Sequence, residues 1–204
     1  MASWQWVHDR EGGPRVSPSV EATRQQRSAL GGDFLKSILV ALVVFVVVNA
    51  LTGRYVVQSF SMEPTLHEGQ YLLVSRVAYR LHPPQRGDIV VLDPPRHVSA
   101  VPYVKRIVGL PGEHIRIHGG RVWVDSVVLN EPYVSGPALY ELDLTLGVGE
   151  YLVLGDNRNN SSDSHVWGVL PEDHIIGKAI FRYWPLSKLG VLPHYAFPEV
   201  ASGP

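Results

Sequence analysis

The chain has 204 residues, with 18 Lys and Arg against 19 Asp and Glu, a formal net charge of -1, and no cysteine. Near-neutral charge excludes nucleic-acid binding driven by a bulk basic field. The lack of cysteine excludes a disulfide framework, a thiolate nucleophile and any cysteine-ligated metal, while 45% hydrophobic residues suit a packed core rather than a disordered chain.

Residues 1–33 read as a flexible or loosely helical tail: Gly12, Gly13, Pro14 and Pro18 stand among Arg, Glu, Ser and Gln with no sustained apolar period. Residues 34–52 are strongly apolar, unbroken from Ile38 to Val48. As a helix this stretch spans about 28 Å, close to the hydrocarbon thickness of a bilayer. Three readings compete: a retained membrane anchor, a cleaved signal peptide ending near Val48-Asn49-Ala50, and a buried core helix. The tail is long for a signal peptide and the run shows no polar face, so the anchor is favoured. Arg24, Arg27 and Lys36 in the twenty residues before Ser37, against Arg54 alone in the twenty after Thr52, predict a cytoplasmic N-terminus and an extracytoplasmic domain over 54–204.

Beyond Arg54 the pattern changes to short strands. Arg54–Ser59, Gln70–Val74, Asp88–Asp93, Tyr103–Val108, Tyr151–Leu154 and Ile176–Tyr183 are rich in Val, Ile, Leu and Tyr and are punctuated by Gly, Pro and Asn. Alternating residues on either side of Gly119-Gly120 predict a hairpin over 114–125, with a second reversal near Ser126. No long amphipathic helix follows residue 52. The predicted fold is mainly β: one transmembrane helix, then a coiled antiparallel β domain.

The common signatures for nucleophile elbows, zinc peptidases, phosphate loops and dinucleotide binding are absent. His114 and His118 lie about 13 Å apart on a strand, too far to share a metal. Three segments stand out. Ser59-Phe60-Ser61-Met62-Glu63-Pro64 follows a short strand and can present a hydroxyl beside its own backbone N–H, although it is also plausible turn chemistry. In Tyr103–Glu113 a strand places Lys105 between Tyr103 and Ile107 on one face. A desolvated ammonium there has a lowered pKa and becomes a usable general base. A snorkelling edge lysine is the bland alternative. Gly155–Gly168 is a long polar loop that gathers Asp, Arg, Ser and His beside Trp167, which Asx turns alone could explain.

In order, Ser-Met-x-Pro-Thr-Leu, Arg-Gly-Asp-Ile-Val (86–90), Tyr-x-Lys-Arg-x-x-Gly-x-Pro-Gly and Gly-Asp-Asn-x-x-x-Ser-x-Asp-Ser-x-x-Trp-Gly resemble bacterial type I signal peptidase, the serine–lysine leader peptidase family. The resemblance covers about residues 35–185. It implies Ser61 as nucleophile, Lys105 as general base, and Ser161 as the serine orienting that lysine. It implies an oxyanion hole from Ser59 and the Ser61 N–H, a structural Asp163, and an Arg106–Asp156 pair holding strand to loop. It implies preproteins as partners, cut after small residues (Ala-x-Ala). Val57, Gln58 and Tyr103 are expected to line the substrate site, and Phe60 and Met62 to form an apolar rim at the lipid bilayer. No metal, cofactor or nucleic acid is called for. Two positions depart from the family pattern: Asn159, where Asp is common, and His165, where Arg is common, so the Asp163–His165 contact is expected to be weaker or pH-dependent. A pilus or conjugation-type Ser–Lys peptidase and a non-catalytic membrane-tethered peptide-binding domain remain as alternatives. A self-cleaving repressor would need a DNA-binding helix-turn-helix where the apolar helix stands.

Overall fold

The computed structural model describes residues 18–95 and 98–201, with side chains in the first helix given from Leu35 onward. Most of the sequence segment read as a tail, 1–17, therefore lies outside the described residues. The chain divides into two compact units, Met1–Val48 and Asn49–Pro204.

Helix α1 (Pro18–Leu51) begins inside the segment read as flexible or loosely helical, with Pro18 at the position where a missing N–H costs nothing. From Leu35 to Val48 every described side chain is exposed, and most are Leu, Val, Ile or Phe. Among the described residues no helix is long and apolar enough to cross a membrane.

The second unit is built from two antiparallel sheets. The larger contains β1 (Thr52–Val56), β2 (Tyr71–Ser75), β3 (Ile89–Leu92), β4 (Tyr103–Gly109), β9 (Glu150–Leu154), β10 (Leu170–Pro171), β11 (Ile175–Trp184) and β12 (Gly190–Val191), in the order β1-β2-β11-β3-β4-β9-β10 with β12 added to β11. The smaller has β5 (His114–His118), β6 (Arg121–Val124), β7 (Val127–Val128) and β8 (Leu142–Thr145) in the order β7-β6-β5-β8. Three short α-helices, α2 (Ala78–Leu81), α3 (Ser164–Trp167) and α4 (Pro198–Ala201), and two 3-10 turns, Glu172–His174 and Leu186–Lys188, complete its described residues.

Strand β3 explains how one sheet feeds two cores. All four of its residues are buried; Ile89 and Val91 join Val57, Met62, Leu66, Leu72 and Val74 on one side, and Val90 and Leu92 join Ile107, Val153 and Leu170 on the other. A strand covered on both faces reads as a continuous apolar run. By contrast β5 alternates, with Ile115 and Ile117 packed against Val122, Val124, Leu152 and Leu154. Its hairpin turns at Gly119 and Gly120, whose φ values of 58° and 78° are those a two-residue turn of this hand requires.

Strand β8 was not among the predicted strands. Leu142 and Leu144 do alternate with exposed Asp143 and Thr145, but over a window too short, between Gly and Pro clusters, to separate from loop. The predicted strand Arg54–Ser59 starts earlier and ends earlier, at Val56, although Val57 still donates to the Gln70 carbonyl at 2.9 Å.

Candidate active site

Just past β1 the chain leaves the sheet in a tight turn. Glu63 N donates to the Phe60 carbonyl at 3.1 Å and Leu66 N to the Met62 carbonyl at 2.8 Å. Met62 and Leu66 are almost fully buried and pin this turn to the core, while Phe60 is 51% exposed. Ser61 is thereby fixed between an inward and an outward neighbour. The predicted apolar rim needs one correction: Phe60 stands at the surface, but Met62 is part of the hydrophobic core, because the turn, rather than a continuing strand, decides which side chains face out.

Lys105 lies in the middle of β4, opposite Val90, and is 3% exposed. Its Nζ donates to Ser61 Oγ at 2.7 Å and lies 5.3 Å from the centre of the Tyr103 ring. Burial lowers the Lys105 pKa to about 8, against the opposing pull of Asp163 and Asp156. Ser59 Oγ is 3.1 Å from Ser61 Oγ.

The loop after β9 carries the remaining predicted residues. Gly155 is the close-approach point: a Cβ there would collide with the Ser61 carbonyl and Ser161 Oγ. Asn157, a motif position that carried no expected role, donates its N–H to the Ser61 carbonyl at 3.0 Å and its Nδ2 to the Phe60 carbonyl at 3.3 Å. Ser161 Oγ is buried and has no hydrogen-bond partner among the described residues. The bond from Lys105 that the resemblance implied for Ser161 is not made here; Nζ bonds Ser61 Oγ. Asp163 Oδ2 accepts from Gly155 N at 2.8 Å, and its Oδ1 accepts from His165 N at 3.1 Å and pairs with His165 Nδ1 at 2.7 Å. The His165 ring stacks on Tyr140 at 3.9 Å.

Arg106 and Asp156 meet in a fully buried bidentate pair, Nε–Oδ1 2.8 Å and Nη2–Oδ2 2.7 Å, joining β4 to the loop. Nη1 of Arg106 donates to the Gly87 carbonyl at 2.8 Å. A second buried pair, Arg158 with Glu131 at 2.8 and 2.5 Å, was missed. Its only sequence signal was an arginine inside the polar loop; its partner lies far away in the chain.

A cleft of about 510 Å³ opens beside Ser61, with Arg54–Met62 along one wall, Val101–Lys105 along the other, and Asn160 and Ser162 between them. Val57, Gln58 and Tyr103 all line it. Each wall offers a free strand edge: β1 is at the end of its sheet, and β4 pairs with β9 only from Arg106 onward. A buried lysine of lowered pKa bonded to a serine hydroxyl, beside an open cleft, can remove the hydroxyl proton and make an acyl-transfer nucleophile.

Residues 32–184 match the family described as signal peptidase, peptidase S26. The chain belongs to this family. It is 40% identical over 177 residues to the probable signal peptidase I-1 of Synechocystis sp., covering 81% of this chain and 90% of that protein. Signal peptidase I of Leptolyngbya laminosa is 36% identical, with 88% and 91% covered, and signal peptidase IB of Staphylococcus aureus is 32% identical, with 76% and 91% covered. Ser59, Ser61, Lys105 and the 155–163 loop all fall inside the signal peptidase match; the segment after Trp184 falls outside it.

Proposed function

We propose that this chain is a membrane-bound signal peptidase I, removing N-terminal signal peptides from exported preproteins with a Ser61–Lys105 dyad. The observation that carries the dyad is the 2.7 Å bond between Lys105 Nζ and Ser61 Oγ, made by a lysine whose burial holds it partly neutral near physiological pH.

Neutral Lys105 takes the Ser61 proton as Oγ attacks the scissile carbonyl. The oxyanion is received by the Ser61 N–H and by the Ser59 hydroxyl, which releases Ser61 Oγ to do so; one such donor is worth about 3 kcal/mol. The ammonium then protonates the leaving amine, and Lys105 activates the water that clears the acyl-enzyme. Ser161, packed on Gly155 with an unused hydroxyl, is free to bond Lys105 once Nζ turns from Ser61. Every proton is handled by the chain's own groups.

The preprotein binds as an extended strand between the two free edges of the cleft, with its small side chains before the cut pointing toward Val57, Gln58 and Tyr103. Residues 34–52 serve as the anchor, with the N-terminus cytoplasmic and the β domain extracytoplasmic at the plasma membrane. The exposed apolar side chains of α1 support this. Phe60, exposed at the cleft rim, meets the lipid surface.

The test is cleavage of a fluorogenic Ala-x-Ala peptide by detergent-solubilised full chain, chelator present, comparing wild type, Ser61→Ala and Lys105→Ala. Wild type is expected to cut after the second small residue and both variants to fall to background. Variants as active as wild type would remove the dyad. An inactive wild type would leave a tethered peptide-binding domain.

A further inference from the structure

Arg106 neighbours Lys105 on β4, and its guanidinium is completely buried. Its edges are spent on Asp156 and the Gly87 carbonyl. What covers its face comes from far away in the chain. The Tyr133 ring centre is 4.0 Å from Cζ and that of Tyr195 is 5.2 Å. The two rings are 4.9 Å apart, so these separations set them side by side over the guanidinium rather than on opposite faces. Phe197 closes edge-on against Tyr133 at 6.3 Å.

This cover has its own seat. Gly87, at φ 89°, has no room for a side chain, because a Cβ would lie 2.7 Å from the Tyr195 carbonyl and 2.9 Å from the Phe197 ring. The residue whose carbonyl binds Arg106 is thus also the one the C-terminal segment leans on. Further along, Glu199 Oε1 accepts from Asn130 N at 2.9 Å. On the other side of the ion pair, Asp156 sits between Gly155, packed on the Ser61 carbonyl and Ser161, and Asn157, bonded to that same carbonyl.

We infer that Tyr195 is a positioning residue for the peptidase site: its ring shields the Arg106–Asp156 pair from water, and the pair fixes the loop that sets Ser61 and Ser161. The inference rests on the function proposed above and adds to it a C-terminal segment that lies outside the family match. An aromatic face attracts a desolvated guanidinium in a way an aliphatic side chain of similar bulk does not.

The test uses the full chain in detergent, with Tyr195→Phe and Tyr195→Leu, read by amide hydrogen exchange and by steady-state cleavage. Tyr195→Leu is expected to speed exchange in 155–161 about tenfold while β2 stays protected. It is also expected to lower kcat about tenfold with KM within about twofold of wild type. Tyr195→Phe keeps the ring and is expected to match wild type in both. Unchanged exchange in 155–161 for Tyr195→Leu, or a rise as large in β2, overturns the inference. Should wild type fail to cleave, the proposed function falls, and the exchange comparison alone still decides whether Tyr195 holds the loop.

Discussion

Lys105 is pulled in two directions. Losing water destabilises its ammonium, while Asp163 and Asp156 favour it, and the balance leaves a pKa of about 8 rather than 10.5. Only the neutral amine can accept the Ser61 proton, so kcat/KM is expected to rise about tenfold per pH unit below 8 and to level off above it, measured as a pH–rate profile on the peptide substrate. Stability follows the same residue with its own sign. Between pH 8 and 10.5 the unfolded lysine binds a proton that the folded one has lost, so this group makes the protein more stable as pH rises through that range. Lys105→Met is therefore expected to raise the thermal midpoint at pH 7, with a smaller gain at pH 10, while abolishing cleavage. The strand pattern made this lysine legible, since its Tyr103 neighbour could be read from a period of two. Ser161 was legible only as a motif position: its buried hydroxyl makes no hydrogen bond among the described residues, and a motif does not say which way a flexible amine points.

The 155–163 loop works as one element because it is tied down at both ends and across its middle. Asp156 is fixed by Arg106, Arg158 by Glu131, Asn159 Nδ2 donates to the Pro137 carbonyl at 2.9 Å, and Asp163 holds Gly155 N. Gly155→Ala places a methyl where the Ser61 carbonyl and Ser161 Oγ already are. It is expected to cut kcat by about a hundredfold, since displacements near 1 Å cost that much, while circular dichroism still reports a folded β domain. Asp156→Asn leaves a buried guanidinium without its counter-charge and is expected to cost about 3–5 kcal/mol in urea unfolding. The sequence marked the Gly-Asp-Asn motif and the polar loop. It could not mark Glu131, which pairs with Arg158, or Tyr133 and Tyr195, which cover Arg106, because these arrive through folding of distant segments and carry no local period. Met62 went the other way: a residue beside Ser61 looked like rim until the turn sent it into the core.

At the scale of the whole molecule, the larger sheet brings Ser61, from its edge, to Lys105, from its interior, and leaves a line of apolar side chains outside. Val56 pairs with Tyr71 and Tyr71 with Trp184, so all three project to one side; Leu186, Leu189 and Val191 are also exposed nearby in sequence. Such a surface suits a lipid interface. Phe60→Ser and Trp184→Ser are expected to lower kcat/KM about tenfold on a preprotein inserted in vesicles but only about twofold on a short soluble peptide. Equal losses on both substrates would assign these side chains to the cleft instead. The order of strands was not legible beforehand. Each strand's own residues announced it, but the pairing of β2 with β11 joins segments about a hundred residues apart.

The two free strand edges that line the cleft have a consequence for what can enter. Strands stack about 4.8 Å apart, whereas a helix with its side chains is about 10 Å wide. If the preprotein pairs with these edges as a strand, a signal sequence that continues as a helix past its cleavage point is expected to unwind first. The helix propensity of the preprotein around the cut then enters the barrier: alanine-rich flanks are expected to slow processing, and a proline or glycine just before the small residues to speed it, measured as kcat/KM on matched preproteins.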